Sequence, residues 1–203
     1  MQFIEKQGLI ANKSELVALL AFMGPAESEE FGGVGVRVDG AKLSARVSNG
    51  QASLIHESND TVTLGSESES THEWQIGRDT IQCLAQMMTP RDEVVFALNR
   101  GKMVRGLVRD AETRSERASL DLAGRIGEQM ALIQDPAKQD PTNEVLIVVN
   151  PSLLGLLPKV GKAAGTDLCM LRQGKGFLVA EFSVGDDGHS KWTAGIQQCE
   201  ATE

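Results

Sequence analysis

One order of signals recurs along this 203-residue chain and constrains its fold more than any single motif does: an apolar strand, a helix, then three strands separated by tight turns. The first pass opens with a strand over residues 3–10 and a helix beginning at Asn12. Asn12 reads as an N-cap whose side-chain oxygen accepts a first-turn amide, and Glu15 completes a capping box. Leu16, Val17, Leu19, Leu20, Phe22 and Met23 carry the helix, which Gly24-Pro25 ends. Past an acidic loop at 27–30, Val34, Val36 and Val38 alternate with Arg37 and Asp39, the period of a half-buried strand. Asp39-Gly40 and Asn49-Gly50 are hairpin turns, and the alternating Leu43, Ala45, Val47 and then Ala52, Leu54, Ile55 supply two more strands.

After a polar stretch at 65–71 with the composition of a loop, the order repeats. Trp74 and Ile76 mark a strand, and residues 78–88 form a helix with Ile81, Leu84, Ala85 and Met88 at helical spacing, stopped by Thr89-Pro90. Strands are expected at 94–98, 103–109 and 118–122. Ile126, Met130 and Ile133 fit one side of a short connecting helix over 123–133, and a polar linker with Pro136 and Pro141 follows. A third pass starts at the β-branched run 145–149. Asn150-Pro151 opens a helix over 153–164 that Pro158 kinks and Gly165 closes. Strands at 168–171, 177–184 and 192–198 complete it. The expected class is α+β: three βαβββ units, antiparallel sheets with helices on one face. Residues 1–122 make a two-unit domain, 123–144 a connecting helix and linker, and 145–203 a third unit.

Bulk properties exclude several functions. A chain with 41% hydrophobic and 24% charged residues folds, and a net charge of -8 is wrong for a surface that attracts nucleic acid everywhere. Cys83, Cys169 and Cys199 lie far apart, and His56, His72 and His189 stand apart from them and from one another, so no metal, cofactor or disulfide is expected. A reducing cytoplasm is the natural compartment. No segment approaches the roughly 20 apolar residues of a spanning helix, and residues 1–24 lack the pattern of a secretion signal. The glycines of FGGVGV and GKGFLV lack the context of a phosphate loop and read as hairpin glycines. Nothing selects a catalytic set, and the chain is not expected to be an enzyme.

The segment GVGVRVDGAKLSARVSNGQASLIHES resembles the repeat of DNA polymerase sliding clamps: an apolar strand, Asp-Gly, x-Leu-x, a strand, and a small-polar-Gly turn. VVNPSLLGLLPKVGKAAGTDLCMLRQGKGFLVAEF is similar to the clamp stretch in which a helix of Leu and Lys ends at Ala-Gly before a strand. The resemblance is distant and bacterial-clamp-like. It implies a non-enzymatic, DNA-associated, self-assembling protein, a processivity or replication and repair accessory factor. Helices then line the inside of a ring, where Lys and Arg meet phosphates of double-stranded DNA without reading bases. On that basis Lys13, Arg78, Lys159 and Lys162 face DNA. Protein partners bind through an apolar groove. The clamp turn Thr-Asp-Gly-His-Arg that borders this pocket reads Ser48, Asn49, Gly50, Gln51, Ala52 here, which makes Ser48, Gly50 and Leu54 the candidate pocket residues. Familiar rings close with twelve units; at three per chain, four chains are required, so a homo-oligomer is implied.

Each candidate has a plainer reading. Lys159 and Lys162 share a helix face, suited to phosphate and equally to the carbonyl end of their own helix. Arg78 at a helix start fits simple exposure. Arg105, Arg109, Arg114 and Arg117 are interleaved with Asp110, Glu112 and Glu116, the pattern of a solvated face. Trp74 and Trp192 fit core packing better than stacking on a base. The sparse helix cations and the charge of -8 support an alternative, a protein-binding adaptor with a clamp fold that does not encircle DNA.

Overall fold

The capping box at Asn12 forms: its side chain accepts the Glu15 amide at 2.9 Å, and the Glu15 carboxylate accepts the Asn12 amide at 2.8 Å. Helix α1 (Lys13–Phe22) thereby starts directly from the preceding strand, β2 (Gly8–Asn12). The computed structural model describes residues 1–4, 8–40, 42–59, 61–62, 71–99, 102–122, 125–127, 148–184 and 190–199. The single strand expected over 3–10 is instead a hairpin, because β1 (Gln2–Ile4) folds back on β2 with Phe3 opposite Leu9. Gly8 permits this. Its φ is +114°, and a Cβ there would run into the Phe96 carbonyl of the next strand over.

The strands β3 (Gly33–Asp39), β4 (Lys42–Ser48) and β5 (Ala52–Ser58) follow the alternation read from sequence, with Val34, Val36, Val38, Leu43, Ala45 and Val47 buried. Gly40 and Gly50 take positive φ in the turns between them. After the short β6 (Thr61–Val62), the second pass gives β7 (Thr71–Gly77), α2 (Arg78–Met87), β8 (Asp92–Asn99), β9 (Lys102–Asp110) and β10 (Glu116–Asp121). Opening strands are exchanged between these passes: β7 pairs with β3, Trp74 opposite Val36, while β2 pairs with β8, Ile10 opposite Val95. Each unit completes the other's sheet, so neither can close its hydrogen-bond ladder alone.

The third pass contributes α3 (Pro151–Leu154), α4 (Leu157–Ala164), β12 (Met170–Gly174), β13 (Phe177–Val184) and β14 (Ser190–Gln197). Asn150 caps α3 with Pro151 in its first turn, and Gly165 closes α4 in the left-handed region at φ +72°. The expected single kinked helix is two helices. Pro158 has no amide to donate to Leu154, and the chain breaks at Gly155-Leu156 one turn earlier. Strand β14 pairs with β5, Trp192 opposite His56, which carries the sheet of the first unit into the third. With the short β11 (Ile126–Gly127), the result is a six-stranded sheet, β10-β9-β8-β2-β1-β6, and an eight-stranded sheet, β11-β7-β3-β4-β5-β14-β13-β12. All described pairings are antiparallel except β1 with β6.

Strand β11 (Ile126–Gly127) corrects the connecting helix expected over 123–133 where the two overlap: Ile126 pairs with Ile76 on the outer edge of β7, whose ladder outweighs the helical spacing of isolated apolar residues. The linker and most of the expected strand at 145–149 lie outside the described residues; Val149 makes a single bridge to Gln198. Helix α1 is buried on most sides because it lies against α2, α4 and both sheets. Leu16, Leu19, Phe22, Leu54, Ile81 and Trp192 therefore belong to one core shared by all three passes. At about 1.5–3 kcal/mol per fully buried large side chain, that shared core is what joins the third pass to the first two.

Candidate nucleic-acid interface

The chain brings Lys13, at the start of α1, beside Lys159 and Lys162 of α4, because α1 and α4 pack side by side. The three line one groove of about 350 Å³ with Asn12, Ser14, Val17 and Pro90. Among the described residues no carboxylate lines it. Lys159 and Lys162 are exposed. Lys13 is half-buried, and its ammonium donates to the Met88 carbonyl at the end of α2, which holds its position without neutralising it. The groove opens beside the first turn of α1, which Asn12 and Glu15 already cap. It is the three lysines that suit a phosphate-bearing backbone.

Elsewhere several of the cations meet carboxylates, while Arg46 donates to the Ser44 hydroxyl at 3.1 Å. An open groove of about 480 Å³ on the solvent face of the eight-stranded sheet holds Arg37, Lys42, Arg46 and Lys191. There Arg37 meets Asp39 at 3.2 Å and Glu73 at 3.3 Å, and Lys191 meets Glu181 at 3.0 Å. Burial pushes the Glu181 pKa up, but the hydrogen bonds and charges of Lys191 and Arg172 outweigh it and hold the carboxyl below its ordinary value. On the β9–β10 hairpin, Arg105 pairs with Glu116, Arg109 and Arg114 with Glu93, and Arg117 with Asp92 and Asp110. Amide donation from Thr113, with help from its hydroxyl and Arg117, lowers the Asp110 pKa to about 2. This is the solvated mixed-charge face read from sequence.

Arg78 does not join the lysine groove. Its guanidinium donates to the carbonyls of Leu20, Met23 and Gly24 at 3.3, 2.9 and 3.1 Å, capping the C-terminal end of α1. The exposed side chains of α2 are Asp79, Gln82, Gln86 and Met87, none of them cationic. Ser48 and Gly50 build the β4–β5 turn: the Ser48 hydroxyl donates to the Ala52 carbonyl and accepts the Gly50 amide, both at 3.1 Å. Leu54 is fully buried in the core. None of these three lines either groove described above. Trp74 and Trp192 are buried, stacked on His72 and His56. Among the described residues no group of His, Cys, Asp and Glu could hold a metal, and no helix is long and apolar enough to cross a membrane.

Sequence reading missed the remaining walls of the lysine groove, Asn12, Ser14, Val17 and Pro90, of which Asn12 was read only as a helix cap. None of them carries a signal in the sequence: Val17 lies within the apolar run of α1, and only the structure leaves it exposed.

Exchanged opening strands, antiparallel sheets running from unit to unit and helices gathered against them are the architecture of the DNA polymerase sliding clamps, and the chain has that fold. It is similar to the H. pylori beta clamp (TM-score 0.56, 7% identity, 96% of this chain and 65% of that one). It is also similar to A. fulgidus PCNA, solved with the C-terminal region of FEN-1 (TM-score 0.51, 11% identity, 96% of this chain and 99% of that one). A third likeness is to the DNA polymerase III beta subunit of Pseudomonas aeruginosa (TM-score 0.50, 10% identity, 96% of this chain and 65% of that one). The chain thus spans just under two thirds of these two bacterial clamps. No protein-family model and no curated protein matches the sequence.

Proposed function

We propose that this chain is a non-enzymatic, clamp-like accessory of DNA replication or repair, working in the cytoplasm as a homo-oligomer assembled through sheet edges. Residues 1–122 act as a two-unit body, 123–144 as a connection and 145–203 as the third unit. The observation that carries the reading is the convergence of Lys13, Lys159 and Lys162 in one acid-free groove on the helix side. Contact is made to phosphate, not to bases. The test is retention on double-stranded DNA across a salt series. Three neutralised phosphates give a slope of log affinity against log salt of about -2.7, or roughly a fortyfold loss between 50 and 200 mM salt. Lys159→Glu with Lys162→Glu abolishes retention; retention unchanged by that pair of substitutions would remove the groove from the reading.

One observation favours the adaptor alternative. Arg78 is committed to capping α1, and the exposed side of α2 carries no cation, so the helix surface offers phosphate a single footing. In that reading the chain binds protein partners, as PCNA does with the C-terminal region of FEN-1. Absence of DNA retention even at low salt, with peptide capture intact, selects it.

A further inference from the structure

The third unit meets the first through two surfaces, the β5–β14 ladder and the packing of α4 on α1. A titratable side chain is sealed into the ladder. His56 of β5 stands opposite Trp192 of β14 and stacks on it with ring centroids 4.2 Å apart, and both are buried. Its Nε2 lies 2.9 Å from the hydroxyl of Ser190 at the start of β14, and its Nδ1 is buried with no hydrogen-bond partner among the described residues. A neutral ring tolerates this setting, because one nitrogen bonds to Ser190 and the other can present a bare lone pair. An imidazolium carries a hydrogen on both nitrogens, so Nδ1 would become an unpartnered charged donor in the core.

The charges around the ring are already matched. The Met1 amine, which would repel a second cation, pairs with Glu15 of α1. In the hollow that these two share with Ser190 and Arg91, Asp92 meets Arg117, and Glu93 meets Arg109 and Arg114. Glu57 and Lys191, next in sequence to His56 and Trp192, lie with Arg46 of β4 on the opposite face of the sheet, and the cations of α4 lie in the lysine groove.

We propose that the β5–β14 seam is an acid-sensitive latch, in which protonation of His56 releases β14 and with it the third unit from the two-unit body. In the closed seam, burial and the nearby amine hold the His56 pKa well below its ordinary value; in the open seam the ring reaches water and titrates near about 6.5. The open state therefore binds the extra proton. The latch is fully closed above that pH, and the open population rises about tenfold for each pH unit beneath it until the closed-state pKa is reached. Helix α4 packs on β13 and β14 and leaves with them, so Lys159 and Lys162 part from Lys13. The latch depends on the strand pairing alone and stands whether or not the groove binds DNA.

The experiment is amide hydrogen exchange of the full chain between pH 7.5 and 5, corrected for the intrinsic pH dependence of exchange, with wild type set against His56→Phe and His56→Gln. In the wild type, amides of β5 and β14 exchange faster by about tenfold per pH unit below about 6.5, while those of β8 and β9 in the other sheet keep their protection. Phe keeps a flat ring on Trp192 and Gln keeps a hydrogen-bonding side chain; neither titrates, and whichever of them folds loses the pH dependence at the seam. Wild-type seam exchange that is independent of pH overturns the proposal, as does a rise that is equally steep in the variants. An equal rise in β8 and β9 overturns it too, since the chain is then unfolding as a whole.

Discussion

Replacing Arg78 by Met separates two roles that sequence alone leaves superimposed on it. The substitution keeps most of the stem and removes the donors that reach Leu20, Met23 and Gly24 at 3.3, 2.9 and 3.1 Å. All three bonds use one terminal nitrogen, so its two hydrogens set the ceiling at about two charge-assisted bonds of 1.5–3 kcal/mol each, and the half-exposed site brings the expected loss to about 2–3 kcal/mol. The acceptors are the last-turn carbonyl of Leu20 and the carbonyls of Met23 and Gly24 just beyond α1, where the helix dipole adds to the attraction and where the last turn of α1 carries no cation of its own. For a chain of this length the melting temperature falls by roughly 4–12 °C. Urea denaturation followed by circular dichroism reads the loss, and DNA retention at low salt is measured beside it. Arg78→Lys recovers only part of the stability, because an ammonium cannot reproduce the planar fork. An unchanged denaturation midpoint for Arg78→Met together with lost DNA retention would refute the capping role and return Arg78 to the nucleic-acid surface.

Two further outcomes bear on stability. His56 is buried between the sheet and Trp192, its Nε2 2.9 Å from the Ser190 hydroxyl, and burial, aided by the N-terminal amine, holds its pKa well below the ordinary value. The folded state therefore keeps His56 neutral while the unfolded chain takes up a proton below about pH 6.5, so stability is full above that pH and falls beneath it, by about 1.4 kcal/mol per pH unit until the folded pKa is reached. Urea midpoints between pH 7.5 and 5 measure the slope; a His56→Gln variant with the same slope would show that another group is responsible. Gly8→Ala puts a methyl group into the Phe96 carbonyl at a φ of +114°, and it destabilises the β1–β2 hairpin and its pairing with β8 by about 3 kcal/mol or more. A wild-type denaturation curve for that variant would mean the hairpin is not formed as described.

What sequence determined by itself is local. The capping box of Asn12 and Glu15, the turns at Gly40 and Gly50, the left-handed Gly165 and the alternation of Val34, Val36 and Val38 each depend on residues within a few positions of one another, so their physics is written in neighbours. The repeated order of these signals was enough to indicate the fold class. Everything that required distant segments to meet came from tertiary structure. Ile126 became a strand because the edge of β7 was open to it, and β14 joined β5 because an antiparallel ladder continues wherever an apolar strand can extend it. The same holds for the site. Lys13, Arg78, Lys159 and Lys162 look alike along the chain, and only the packing of α1 against α4 gathers three of them in one groove while a helix end claims the fourth. A charge takes its role from the potential of the groups brought around it, and in this chain those groups arrive from segments far apart in sequence.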